Sequence, residues 1–74
     1  MDEFEINVNQ VEDLQITNGM MDLKQILKRA HNIIVQGGTV VLVRNNTDGS
    51  SYRVDEITTE IELKTYKDKV FKYM

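Results

Sequence analysis

From Met20 to Ile34 the apolar residues Met20, Leu23, Ile26, Leu27, Ala30, Ile33 and Ile34 fall three or four apart. This spacing lines one face of a helix with apolar side chains and constrains the chain more than any other feature. Thr17 or Asn18 can cap the helix by accepting a hydrogen bond from an early amide. Asp22 in the first turn, and Lys28 and Arg29 further along, suit the helix dipole. Gly37-Gly38 stops it, because glycine takes the left-handed position after a helix at little cost. The apolar stripe needs a surface to cover, and the flanking segments read as strands.

Phe4-Glu5-Ile6-Asn7-Val8 alternates apolar and polar residues, as a half-buried strand does. Asn9 to Asp13 is polar and turn-like, and Leu14 and Ile16 repeat the two-residue period, which predicts a second short strand. Thr39-Val40-Val41-Leu42-Val43-Arg44 is a β-branched run, apolar enough to lie centrally in a sheet. Asn45 to Ser50, with Asp48-Gly49, has hairpin-turn chemistry but is too long for a two-residue turn, so a bulge or a mobile tip is expected. Tyr52-Arg53-Val54 is the return strand, continuing to Ile57. In the tail, Thr59 and Glu62 have capping-box spacing, and Leu63, Tyr66, Val70 and Met74 keep helical spacing with Phe71 alongside. Acids come first there and Lys67, Lys69 and Lys72 last. That pattern predicts a C-terminal helix, the competing reading being a strand from Glu56 to Lys64. The predicted order is β, β, α, β-hairpin, α. It defines an α+β domain with a small antiparallel sheet, a long amphipathic helix and a C-terminal helix. One domain covers residues 1 to 74: an acidic strand or extension over 1 to 13, a core over 14 to 54, and the helical segment over 55 to 74.

A chain of 74 residues buries only about 60 % of its unfolded surface. Without cysteine it has neither disulfides nor thiolate metal sites. Burying a face against a second copy is the remaining remedy for a small core. No apolar run approaches the roughly 18 residues of a membrane span, and no signal-like segment opens the sequence, so a soluble cytoplasmic protein is expected. The net charge of −3 is unevenly placed. Residues 1 to 13 hold five acids and no base, whereas residues 14 to 74 hold seven acids against nine bases. An acidic first segment precedes a mildly basic body.

Catalytic chemistry is poorly supplied. His31 stands alone with apolar helical neighbours, and no metal-ligand spacing surrounds it. Gly37-Gly38 follows a helix, whereas phosphate loops precede one. Ser50-Ser51 and Thr58-Thr59 lack a nearby histidine or a nucleophile-elbow context. Asp55, Glu56, Glu60 and Glu62 are explained as acids at a helix start. The expectation is a non-enzyme with no metal, cofactor, small-molecule substrate or membrane partner. Met20-Met21 supplies adaptable apolar surface beside the strand-to-helix corner, as a subunit interface would. Tyr66, Val70, Phe71, Tyr73 and Met74 spread wider than one narrow stripe, which fits a second copy or a partner groove. Lys24, Lys28 and Arg29 share the polar side of the first helix, with Arg44 ending the strand behind it. Doubled by a two-fold axis they would form a cationic stripe for phosphate contact.

The stretch LQITNGMMDLKQIL resembles antitoxins of the Phd/YefM (prevent-host-death) family. In these a short strand runs into a Ser-Glu-Ala-Arg-x-Asn-Leu turn that opens the first helix, and a glycine-led strand ending in arginine, a hairpin and a tail helix follow. Ile16-Thr17 stands at the strand and serine, Asp22 replaces the asparagine, and Leu23 matches the leucine. Asn18-Gly19-Met20 occupies the Glu-Ala-Arg positions, so the corner arginine is absent. Gly38 to Arg44 resembles the glycine-led strand, and Glu62-Leu63-Lys64-Thr65-Tyr66 is similar to the tail segment. The resemblance implies a homodimeric autorepressor that binds operator DNA and neutralises a partner toxin. It would place Lys24, Lys28, Arg29 and Arg44 on DNA, Ile16, Met20, Leu23 and Leu27 at the dimer interface, and Tyr66, Val70 and Phe71 on the toxin. The competing expectation is an acidic protein-binding module or inhibitor, of the phage or mobile-element type, with no role on nucleic acid.

Overall fold

The computed structural model describes residues 2 to 72. The chain runs β1 (Glu3–Asn7), α1 (Val8–Ile16), α2 (Met20–Val35), β2 (Thr39–Asn45), β3 (Ser51–Ile57) and α3 (Glu60–Phe71). Tyr73 and Met74, expected to extend the last helix, lie outside the described residues.

The three strands form one sheet in the order β1-β2-β3. The Val-rich β2 is central, as its composition predicts. β3 returns antiparallel to β2, from Val40 opposite Ile57 to Asn45 opposite Ser51, with a bulge between Leu42 and Val43. β1 instead pairs parallel to β2, from Glu3 opposite Thr39 to Asn7 opposite Val43. The sheet is therefore mixed, which corrects the antiparallel sheet expected from the sequence. A parallel neighbour needs a crossover long enough to carry the chain back, and α1 with α2 supplies it.

The second expected strand, at Leu14 and Ile16, is also corrected, because both residues lie in α1. Their two-residue period is a single repeat, and it overlaps the helical spacing of Val8, Val11 and Leu14. Asn7 caps this helix, its side-chain oxygen accepting from the amides of Asn9 at 2.9 Å and Gln10 at 3.3 Å. Val8 and Val11 are buried, whereas Ile16 is 83 % exposed. The acidic first segment is thus an edge strand and most of a helix.

α2 matches its sequence pattern, but neither Thr17 nor Asn18 caps it. Its N-cap is Gly19, with no side-chain bond. Asn18 takes the left-handed conformation at φ 59°, and Thr17 turns its hydroxyl back to the Asp13 carbonyl. The Gly19 amide donates to the Leu14 carbonyl at 2.7 Å, which closes the α1–α2 turn. At the other end Gly38 N–H donates to Ile33 and Gly37 N–H to Ile34, with Gly37 at φ 88°. This is the paired Schellman closure. α3 begins as the capping spacing predicts: Thr59 accepts from the Glu62 amide at 3.1 Å, and the Glu62 carboxylate accepts from the Thr58 amide. The Thr58 amide, followed by the hydroxyls of Thr59 and Thr58, donates to the Glu62 carboxylate and holds its carboxyl below the ordinary range.

All three helices cover one face of the sheet. Ile6, Val40, Leu42 and Ile57 meet Val11, Leu23, Leu27, Ala30, Leu63 and Val70 in a single core. The bare face is charged. Arg53 on β3 pairs with its neighbour Glu56 and reaches Glu3 on β1. From the register its side chain must cross β2 over Val41, which is fully buried although it faces away from the helices. The lysines and arginine of α2 are therefore on the helix side, and Glu3, Arg53 and Glu56 on the other.

Candidate functional site

Two clefts flank α2. The larger, between α2 and α3, encloses about 710 Å³ and is lined by Lys24, Leu27, Lys28 and His31 on one wall and by Glu60, Leu63, Lys64, Lys67 and Asp68 on the other. Two bonds fix the helices that form it. His31 Nε2 lies 2.9 Å from Glu60 Oε1, joining the later part of α2 to the first residue of α3. At the opposite end Gln15 Nε2, in the last turn of α1 just ahead of α2, donates to the Val70 carbonyl at 2.8 Å, tying the end of α1 to the last turn of α3. The helices therefore run antiparallel. Leu27 and Leu63 are almost wholly buried and form the floor, while the four lysines stand exposed along the rims.

The second cleft, between α1 and α2, encloses about 620 Å³ and is lined by Gln10, Asp22, Gln25, Ile26, Lys28, Arg29 and Asn32. It collects side-chain amides beside two cations. Among the described residues, Lys24, Lys28, Arg29, Lys64 and Lys67 take part in no ion pair. No group of three or more histidine, aspartate or glutamate side chains among the described residues is placed to hold a metal ion. No helix is long and apolar enough to cross a membrane.

Of the residues expected on DNA, Lys24, Lys28 and Arg29 share α2. Arg44 does not join them. It makes a bidentate pair with Glu12 of α1, at 2.9 and 3.2 Å, which raises its own pKa and lowers that of Glu12. It lines a separate small cleft with Tyr66 and Lys69. The expected interface also divides. Ile16 and Met20 are exposed, but Leu23 and Leu27 are 1 % and 5 % exposed. Those two leucines are occupied by the subunit's own core and are corrected from interface to core. In the tail the expected partner residues divide as well. Val70 is buried, and Tyr66 and Phe71 pack partly buried against the core, because the stripe through Leu63, Tyr66 and Val70 is the inner face of α3. The exposed apolar side chain of α3 is Ile61, at 80 %.

Sequence reasoning missed Lys64 and Lys67 as partners of Lys24 and Lys28. Glu60, Lys64, Lys67 and Asp68 do share a helical face, but which helix that face meets is not written locally. Asn9, turn-like by sequence, is another such residue. Its side chain accepts from the Asn45 amide at 2.8 Å and donates to the Asn45 carbonyl, extending β2 pairing beyond the end of β1.

Tyr66 reports on this packing. Burial, with a smaller contribution from the charge of Glu12, pushes its phenol up to about 12. A folded-state value above the unfolded value of about 10 means that stability is complete below pH 10 and falls as pH rises towards 12. Alkaline unfolding followed by circular dichroism should show this loss, and Tyr66→Phe should shift the transition to higher pH.

Comparison of the chain with protein-family models, with curated proteins and with solved structures finds no match.

Proposed function

We propose that this chain is a homodimeric, antitoxin-like regulatory protein that contacts the phosphate backbone of its own operator through α2. The carrying observation is the α1–α2 cleft, where the cations Lys28 and Arg29 stand beside the amides of Gln10, Gln25 and Asn32. Cations position a protein on phosphates, and amide side chains are donors and acceptors suited to base edges and sugars. The element order supports the reading. A strand turns into a helical segment, and a central strand, a hairpin and a tail helix follow, which is the order the Phd/YefM resemblance implies. The strand that opens this order is Glu3–Asn7, whereas Ile16, where the resemblance puts the strand, ends α1. Exposed Ile16, Met20 and Met21 at the α1–α2 turn offer apolar surface for a second copy, and a partner toxin would be met by the C-terminal region.

Retention of upstream DNA in a gel shift is the expected result. With Lys24, Lys28 and Arg29 contributing from both subunits, log K should fall against log salt with a slope of about −5. Arg29→Glu should weaken binding at all sequences and flatten that slope by about two. No shift at low salt would eliminate the operator role. The second reading, a protein-binding module without a nucleic-acid role, is favoured by the separate groove between α2 and α3.

A further inference from the structure

We propose that the α2–α3 groove docks an acidic amphipathic helix of a partner protein. The groove is separable from the operator reading through Arg29, which lines only the amide-rich cleft, whereas Lys28 borders both clefts and Lys24 is counted in each proposal.

Charge complementarity identifies the occupant. Lys24 and Lys28 stand one turn apart on one rim, facing Lys64 and Lys67 on the other, and the acids present are Glu60 and Asp68. Glu60 is engaged by His31 at one end of the groove, 2.9 Å away. The four lysines leave a cationic trough inside a protein whose net charge is −3. The floor between the rims is apolar, formed by the edges of Leu27 and Leu63. Lysine stems extend it, since their methylenes lie along apolar surface while the ammonium groups stay in water. The trough also has the length of a short docked helix. From Lys24 to His31 and from Glu60 to Asp68 it spans about 11 Å at 1.5 Å per residue, two turns of a docked helix. Leucines at i, i+3, i+4 and i+7 of such a helix would meet the floor, and flanking carboxylates would meet the lysines. A nucleic-acid strand is the poorer fit. Its unbroken run of phosphates would pass Asp68 as well as the lysines, and it offers the apolar floor nothing.

The test uses the full chain and a labelled synthetic peptide of about 18 residues, helical, with leucines at those spacings and glutamates beside them. Fluorescence anisotropy at physiological salt should show binding. A peptide of the same composition with the leucine spacing scrambled should bind at least about tenfold more weakly, since it loses the floor. The double variant K64E/K67E, shown to be folded by circular dichroism, should lose about tenfold or more for the acidic helix. It should recover binding to the same peptide with its glutamates changed to lysine. Equal binding of the ordered and scrambled peptides would overturn the proposal, because the contact would be charge alone. Failure of the charge swap to restore binding would overturn it too. Displacement of the peptide by duplex DNA, with K64E/K67E losing the duplex equally, would assign the groove to nucleic acid instead. Loss of DNA retention in Arg29→Glu with peptide binding intact would keep both proposals separate and standing.

Discussion

Leu23→Ala is expected to leave the chain largely unfolded at 25 °C. The side chain is 1 % exposed, at the centre of the core between α2 and the sheet. Truncating a leucine in such a place costs about 2–5 kcal/mol, through lost transfer free energy and the cavity left behind. A single small core rarely supplies more than about 3–5 kcal/mol, so the substitution removes most of the stability. Urea unfolding followed by far-UV circular dichroism measures the loss. The same experiment separates core from interface. If Leu23 acts within one subunit, its contribution does not require dissociation, and the variant stays destabilised at every protein concentration. Recovery of wild-type stability at high concentration would instead return Leu23 to the subunit contact that the sequence resemblance implied. Ile16→Ser gives the contrast. That side chain is 83 % exposed, so its loss should leave the fold intact and lower self-association alone.

Gly38→Ala should be the second severe change, at about 1–3 kcal/mol, the range for forcing extra atoms into a filled site. A Cβ there would stand 2.6 Å from the Asp2 carbonyl oxygen and 2.6 Å from Ile33 Cγ2. The oxygen belongs to backbone and cannot rotate away. It also accepts the Thr39 amide at 2.9 Å, the bond that joins the start of β2 to the residue before β1. Relief of the clash therefore moves β1, and with it the parallel pairing. Gly37→Asn is the control. Gly37 has φ 88° and nothing within 4 Å of an added Cβ, and asparagine tolerates the left-handed region better than other side chains. Thermal unfolding should rank Gly38→Ala well below Gly37→Asn. Equal losses would show that β1 and Ile33 yield to the added Cβ at little cost, and that the close approach does not make glycine necessary at position 38.

The candidate site was legible in proportion to how local its parts are. Lys24, Lys28 and Arg29 follow from the helical wheel of α2 alone. Arg44 sits near the end of β2 with nothing local to fix its partner, and Glu12 meets it from 32 positions away. Tyr66, Val70 and Phe71 exceed one narrow stripe on the helical wheel of α3 and so resemble surplus apolar surface. Three helices share one sheet face, so even a short α3 is called on to close the core. His31 looked inert for want of sequence neighbours, and its partner is Glu60, 29 positions on.

By itself the amino-acid sequence determined α2, its glycine stop, the β2–β3 hairpin and the capping of α3. Each depends on residues within a turn or two of one another, where periodicity, left-handed glycine and short hydrogen bonds act. The tertiary structure alone decided that residues 8 to 16 are helix and that β1 runs parallel to β2. It also decided that lysines from two helices border one groove. Those outcomes depend on which buried faces can be covered together, and that is a property of the whole chain.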